Sequence, residues 1–268
     1  MKKKKREKLK LCDIIENTIK ENNLRNGFPK SFDAYIKELK LKKTINHKDF
    51  TNIPFVTIDG EDSKDFDDAV WSETKEGITN VMVAISDVSF FIEKNDPLDL
   101  EAKKRGNSFY FPDRVIPMFP HEISNDICSL IPNKERASVV IEIKIKNFKI
   151  ISSKIHRAKI ISVARLTYNE VERIYFSNEK ENRLFIQIKN LFECYRVLKR
   201  LSEKKNKINF VSDEYKIIEK ENENLILKKK KSLVSYNLIE EFMVIANENI
   251  AKFLKDNNLN SIFRNHEK

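Results

Sequence analysis

Six acidic side chains crowd into one short stretch of a chain that is basic overall. Residues 57–70 read TIDGEDSKDFDDAV and place six acids within ten positions, opposed by one lysine. The acids are Asp59, Glu61, Asp62, Asp65, Asp67 and Asp68. Carboxylates this close repel one another and raise each other's pKa unless a cation lies among them. The stretch is therefore a candidate cation site.

The ligand chemistry of this acidic stretch favours a hard divalent cation. Carboxylate oxygens suit Mg²⁺, with Mn²⁺ as the alternative ion, because both leave coordination positions for water and a substrate phosphate. Such ions assist phosphodiester hydrolysis by neutralising the phosphate and generating hydroxide from bound water. The spacing differs from that of an EF-hand loop. A structural Ca²⁺ loop or a solvated acidic turn is the alternative that spacing alone leaves open.

Two strands must flank the acidic stretch if it is to form a site. FVTID before it and AVWSE after it are rich in β-branched and aromatic residues, which predicts a strand on each side. Gly60 would let the chain turn after the first strand. In extended chain Asp65 and Asp67 share one face, whereas Phe66 faces the other way and can anchor the loop in the core.

The rest of the pattern predicts an α+β fold, a mixed β-sheet with surrounding helices. VMVAISD predicts a buried strand, and SVVIEIKIKNF followed by IISSKIHRAKIIS predicts two adjacent strands. DPLDLEAKKRG predicts a helix with Asp96 as its N-cap and Gly106 just past its end. Helices are also predicted near 11–21 and 32–41 and over most of the region after residue 167, with a strand-like YKIIE between them.

Composition limits the class of protein and its compartment. The chain has 268 residues, 40% of them hydrophobic, which is enough for a core and excludes wholesale disorder. No uncharged apolar run approaches the roughly 18 residues of a membrane span. The cysteines are three, Cys12, Cys128 and Cys194, too few and too scattered for a disulfide framework or a CxxC metal site. A reducing, cytoplasmic setting is expected.

The net charge of +10 lies mostly in a terminal tail. Residues 1–10, MKKKKREKLK, carry seven basic side chains and one acidic one. This tail is either a phosphate-binding arm or a solvated start to the chain. We predict a lysine-rich N-terminal extension over residues 1–50 and one main domain over residues 51–268.

Residues 57–70 resemble the signature that opens the catalytic RNB domain of the ribonuclease II and ribonuclease R family. The resemblance continues in order through VAISDVSFFI, PLDLEAKKRGNSFYFPDRVIPMFP, EISNDICSLIPNKERAS, ARLTYNEV, IEEFMVIAN and IFRNHEK. The resemblance runs from about Phe55 to the last residue. Motifs such as DGED and RGNSFYFP are closer to those of ribonuclease R than to those of ribonuclease II. The resemblance also implies the fold of the first half of an RNB domain.

The resemblance implies a processive 3′→5′ exoribonuclease that hydrolyses single-stranded RNA to 5′-nucleoside monophosphates with Mg²⁺. Asp59, Asp65, Asp67 and Asp68 match the family aspartates that hold the metal, and Asp67 matches the one on which catalysis most depends. Tyr110, in NSFYFP, matches the aromatic residue that stacks on a base near the 3′ end of the RNA. Stacking tolerates any sequence because every base has a π face. Taken without the family, Tyr110 is more simply interpreted as a core aromatic.

The chain departs from the family pattern at both ends. The RNA-binding cold-shock domains of the family precede its catalytic domain, and about 50 weakly matched residues stand here instead. FRNHEK falls near the middle of the catalytic domain. We therefore expect the later half of that domain, with its arginine-bearing SPIRRY-like motif, and the S1-type RNA-binding domain to be missing from this chain.

Two functions from different classes follow. The chain is either part of an exoribonuclease whose activity requires the missing half, or a truncated, non-catalytic remnant that binds metal and RNA. Both predict carboxylates that bind Mg²⁺, and only the first predicts a product. The 268 residues alone are expected to show no turnover.

Overall fold

The acidic stretch joins two neighbouring strands of a six-stranded mixed sheet in the part of the chain that the computed structural model describes. The described residues are 10–40, 46–204, 215–220, 224–229 and 232–263. Their strands are β1 (Lys48–Asp49), β2 (Phe55–Asp59), β3 (Asp68–Lys75), β4 (Ile78–Ser86), β5 (Phe109–Tyr110), β6 (Val115–Ile116), β7 (Glu135–Lys146), β8 (Lys149–Thr167), β9 (Tyr215–Lys220) and β10 (Asn224–Lys229). Their α-helices are α1 (Leu11–Glu21), α2 (Phe32–Lys40), α3 (Pro97–Arg105), α4 (Tyr168–Phe176), α5 (Phe185–Glu203) and α6 (Val234–Asp256).

The main sheet has the order β1-β8-β2-β3-β4-β7, and β8 also pairs with β7, so the sheet closes on itself. The long strand β8 makes this closure possible: it runs antiparallel to β7 and parallel to β2. Strand β2 is in turn antiparallel to β3. Because parallel strands end at the same edge, Asp59 at the end of β2 lies beside Thr167 at the end of β8.

Both faces of this sheet are buried. On one face, side chains such as Val56 and Ile58 of β2 pack with α4, α5 and α6 through residues such as Ile188 and Phe242. On the other face, Phe55 packs with residues of β3, β4, β7 and β8. A sheet that is apolar on both faces needs cover on each of them. The predicted mixed sheet with surrounding helices is confirmed.

The chain divides into two compact units. One contains residues 1–42, 92–123 and 210–231, and the other contains residues 43–91, 124–209 and 232–268. In this division the N-terminal helices α1 and α2 group with the region around α3. The predicted boundary at residue 50 stays a prediction. The predicted lysine-rich tail lies largely outside the described residues.

In the first unit, the buried carboxylate of Glu101 joins α3 to the segment that follows α1. The carboxylate of Glu101 accepts hydrogen bonds from Arg25, at 2.7 and 3.0 Å, and from Arg105, at 3.1 Å. Asp96 caps α3 by accepting a 2.8 Å hydrogen bond from the backbone N–H of Asp99. Gly106 follows with a positive φ of 78°, as predicted for the residue that ends this helix.

The described helices include none that is both long enough and apolar enough to span a membrane.

Helix α4 begins where β8 ends, and its capping box fixes the junction. Thr167 Oγ1 accepts a 3.1 Å hydrogen bond from the N–H of Glu170, and the Glu170 carboxylate accepts a 2.7 Å hydrogen bond from the N–H of Thr167.

We expect Thr167→Ala to lower the free energy of unfolding in urea by about 1 kcal/mol, because the first turn of α4 loses its cap. Thr167→Ser keeps the hydroxyl and should lose far less. Equal losses in the two variants would show that the cap is not the stabilising contact.

Candidate active site

The acidic loop, residues 60–67, connects β2 to β3 at one edge of the sheet. Asp59 is the last residue of β2 and Asp68 the first of β3. Asp68 lies opposite Ile85 of β4 in the antiparallel ladder. The four predicted metal-binding aspartates therefore lie at or between the ends of two paired strands. β3 begins one residue earlier than AVWSE predicted.

Phe66 anchors the second half of the acidic loop, as its position between two aspartates predicted. Its ring packs against the core cluster that contains Phe55 and Leu130. Its backbone N–H donates a 3.0 Å hydrogen bond to Ser129 Oγ, and its carbonyl accepts a 2.8 Å hydrogen bond from the N–H of Leu130. The N–H of Ser86 donates to the carbonyl of Asp67 at 2.8 Å. This half of the loop is thus held by both its backbone and a buried ring.

The first half of the acidic loop is held from β8 and α4. Arg165 Nη2 donates to the carbonyls of Gly60, at 2.6 Å, and Glu61, at 2.9 Å. Asn169 Nδ2 donates to the Glu61 carboxylate at 2.9 Å. Gly60 itself does not adopt a positive φ, and a Cβ there would meet Ser63 Oγ at an ordinary 3.6 Å. Hydrogen bonds, rather than glycine geometry, shape this turn.

The aspartates lie close enough to perturb one another. Burial, followed by the charge of Asp68, raises the pKa of Asp59 to about 7, although the positive charge of Arg165 opposes the shift. Burial and then the charge of Asp67 raise the pKa of Asp68 to about 6. Removal from water and then the charge of Asp65 raise the pKa of Asp67, although this side chain keeps an exposed surface. Such carboxyl groups need either a proton or a cation.

The start of α4 adds two features that favour negative charge at this edge. Thr167, the N-cap of α4, pairs with Asp59, so the positive end of the helix dipole lies near that carboxylate. Burial, followed by the charges of Asp59 and Asp68, raises the pKa of Tyr168 to about 12. The Tyr168 hydroxyl is therefore a stable neutral donor beside the acids.

The donor set fits a hard cation. Asp59, Asp65, Asp67 and Asp68 supply only carboxylate oxygens, the ligands that Mg²⁺ and Mn²⁺ prefer, and the raised pKa values mark a demand for positive charge. Within the described ranges, no three His, Cys, Asp or Glu side chains are already arranged as a set of metal ligands. The predicted magnesium site therefore stays a prediction.

Tyr110 lies in the other compact unit, on the short strand β5 paired with β6. Its side chain is 70% exposed, so the interpretation as a core aromatic is wrong. An exposed ring can stack on a base. The structure thus brings the four aspartates together and places Tyr110 on a separate unit.

Cys128 and two of the histidines make structural contacts and do not form a reactive site. Cys128 is buried, and burial followed by the charge of Asp67 raises the pKa of its thiol to about 12, which leaves it unreactive. His156 bonds to the Glu142 carboxylate at 3.1 Å, and His47 packs edge-on against Phe90.

Sequence reasoning missed the residues that hold the loop. Arg165, Asn169 and Ser129 lie in ARLTYNEV and ICSLIP, segments that carried the family resemblance without any role for these three side chains. Their partners are more than 60 residues away along the chain, so no local pattern links them.

Comparison with known proteins confirms the resemblance. The family model of the RNB domain matches residues 47–268. Ribonuclease R of Buchnera aphidicola is 39% identical over 243 residues, which cover 85% of this chain and 34% of that protein. Ribonuclease R of Escherichia coli is 38% identical over 229 residues, which cover 82% of this chain and 28% of that protein. The chain thus spans about a third of the length of these curated relatives.

The fold comparison agrees. The solved structure of Mycoplasma genitalium RNase R in complex with ribose methylated single-stranded RNA superposes with a TM-score of 0.83 at 28% sequence identity. The match covers 93% of this chain and 40% of that one.

The raised pKa values predict how stability depends on pH in the absence of divalent ions. An unfolded aspartate has a pKa near 4. The stabilisation that Asp59 and Asp68 gain by staying protonated in the folded state is therefore complete below about pH 4. It is lost as the pH rises through about 6 for Asp68 and 7 for Asp59.

We expect the free energy of unfolding in urea with EDTA to fall from pH 4 to 8 relative to a double variant, Asp59→Asn with Asp68→Asn. The difference should approach at most about 1.4 kcal/mol per pH unit for each carboxyl group. Parallel pH profiles for the two proteins would contradict the assigned environment of these acids.

Proposed function

The chain belongs to the RNB domain family, and from that premise we propose that it carries the catalytic carboxylates of a Mg²⁺-dependent 3′→5′ exoribonuclease. The proposed reaction is hydrolysis of single-stranded RNA to 5′-nucleoside monophosphates. The observation that carries the proposal is the loop between β2 and β3, which gathers Asp59, Asp65, Asp67 and Asp68. Burial and neighbouring charges raise the pKa values of Asp59, Asp67 and Asp68 there.

The electrostatics of the loop support a metal-assisted hydrolysis over a solvated acidic turn. A solvated turn would leave its carboxylates with ordinary pKa values, because water would screen their repulsion. Here Asp59 has its pKa raised to about 7 by burial and by its neighbours. Burying these acids therefore lowers the stability of the folded state, and a bound cation would offset that loss.

In this proposal Asp59, Asp65, Asp67 and Asp68 would hold Mg²⁺, and Mn²⁺ is the alternative ion. When bound, the ion supplies neutralisation of the phosphodiester charge and activation of water. Residues of the chain position the carboxylates. Phe66 and its hydrogen bonds keep the flanking aspartates on one side of the loop. The neutral hydroxyl of Tyr168 is available to donate a hydrogen bond to substrate.

Single-stranded RNA is the proposed substrate, and Tyr110 is proposed to stack on one of its bases. A relative of matching fold was solved with ribose methylated single-stranded RNA. Base stacking on an exposed tyrosine tolerates every sequence, which suits an enzyme that degrades RNA without regard to sequence.

The complete activity is proposed to draw on more than the 268 residues of this chain. The curated relatives are about three times as long as the part that this chain matches. The family's arginine-bearing motif and S1-type domain belong to that further length. A cytoplasmic setting is part of the same proposal, and the free cysteines Cys12, Cys128 and Cys194 support it.

An Asp67→Asn variant tests the proposal. The protein is assayed with Mg²⁺ and a single-stranded RNA, alone and with the C-terminal region of the E. coli relative added, and nucleoside monophosphates are measured by chromatography. We expect the rate of release to fall by more than the roughly 100-fold that loss of an outer-shell partner causes, because a direct ligand is removed.

Asp62→Asn is the matched control, since it removes the same charge from the same loop at a position outside the four proposed metal ligands. It should retain the wild-type rate. A 3′-phosphorylated RNA should resist digestion if the direction is 3′→5′. Wild-type release of monophosphates by Asp67→Asn, or no release under any of these conditions, would refute the proposal.

A second test concerns Tyr110. We expect Tyr110→Ala to weaken binding of a fluorescent oligouridine, measured by anisotropy, by about 5- to 150-fold, because stacking on one base contributes about 1–3 kcal/mol. Tyr110→Phe keeps the ring and should bind like the wild type. Unchanged binding by Tyr110→Ala would show that this residue does not contact RNA.

A further inference from the structure

Arg165 is the charged side chain of β8 that reaches the acidic loop. It lies opposite Thr57 in the parallel pairing of β2 with β8, two residues before Asp59. From there a single nitrogen, Nη2, donates to two consecutive carbonyls, those of Gly60 and Glu61. A guanidinium presents its donors in a rigid fork, so these two bonds fix the direction of the chain as it leaves β2.

The surroundings of Arg165 indicate a role beyond a surface contact. Its guanidinium lies 5.6 Å from the centre of the Phe66 ring, which belongs to the other half of the same loop. Its Nε atom is buried and has no hydrogen-bond partner. Burying a donor without a partner costs free energy, so a purely stabilising arginine would be expected to use it. Arg165 thus contacts both halves of the loop, and its buried Nε lowers the free energy gained from these contacts.

The two halves of the loop have different anchors. Ser129 and Leu130 hold the half that contains Phe66. Arg165 holds the half that follows Asp59, with the N–H of Ser63 closing the turn on the Gly60 carbonyl at 3.2 Å. Arg165 therefore holds the part of the loop that lies between Asp59 and the three later aspartates.

We propose that Arg165 is a positioning residue that fixes the turn after Asp59 and so sets the spacing of the carboxylates around a divalent cation. The inference rests on the proposed function, because it concerns the same site. It assigns to Arg165 no contact with substrate. The positive charge of Arg165 also acts directly on Asp59, which is consistent with this placement.

The test compares Arg165→Met, Arg165→Lys and Arg173→Met in the 268-residue chain. Arg173 lies on α4 and pairs with Glu179 at 2.5 Å, so its replacement removes the same charge from the same unit away from the loop. One measurement is hydrogen exchange of the Ser63 amide, which reports on the turn. The other is Mn²⁺ affinity by electron paramagnetic resonance, which needs no turnover.

We expect Arg165→Met to exchange the Ser63 amide about tenfold faster and to bind Mn²⁺ about 10- to 100-fold more weakly, as for loss of an outer-shell partner. Arg165→Lys should lie between Arg165→Met and the wild type, since an ammonium can donate to carbonyls but lacks the rigid fork. Arg173→Met should match the wild type in both measurements. Exchange in the β7 and β8 peptides checks that each variant is folded.

Two results would overturn the inference. Wild-type exchange in Arg165→Met would mean that Arg165 does not hold the turn, and faster exchange with unchanged Mn²⁺ affinity would mean that it holds the turn without setting the ligands. Failure of the wild-type chain to bind Mn²⁺ would instead refute the metal site of the proposed function. The exchange comparison then decides alone whether Arg165 fixes the turn.

Discussion

Mutual repulsion of carboxylates is the constraint on which the rest of this structure depends. Asp59, Asp65, Asp67 and Asp68 occupy one loop and its two ends, where partial burial strengthens their repulsion. A free loop would relieve that repulsion by spreading. Here the loop is bound to the ends of β2 and β3, to the segment around Ser129, and to β8 and α4. The frame around the acids is thus built to resist their separation.

The mixed pairing of β2 explains how so many anchors reach one loop. Because β2 is antiparallel to β3 and parallel to β8, the end of β2, the start of β3 and the end of β8 lie at the same edge of the sheet. The end of β8 supplies the cap of α4, and the turn before β7 supplies Ser129. The fold alone does not specify the chemistry, because the same sheet could carry any side chains at that edge. What distinguishes this edge is its set of aspartates.

Local elements could be predicted from the sequence, whereas the assembly of the site could not. β2 and α3 follow from β-branched runs, an Asp N-cap and a C-terminal glycine, which act over a few residues. Phe66 was predicted as an anchor because alternation in extended chain is also local. The parallel pairing of β2 with β8, the bonds of Arg165 and the exposure of Tyr110 depend on contacts between distant segments. Gly60 was predicted to let the chain turn after β2. Its φ is not positive, and the hydrogen bonds from Arg165 hold this turn instead.

The bond between Arg165 and Gly60 joins residues 105 positions apart, which has a consequence for the order of events during folding. The acids are all present once residue 68 has been synthesised, but their frame is complete only after β8 and the first turn of α4 exist. Closing so long a loop costs entropy, and contacts of this range in general form more slowly than local ones. A chain that still lacks β8 has no Arg165 to hold the turn after Asp59. The arrangement of the four acids is therefore a property of the finished domain and not of the loop's own sequence.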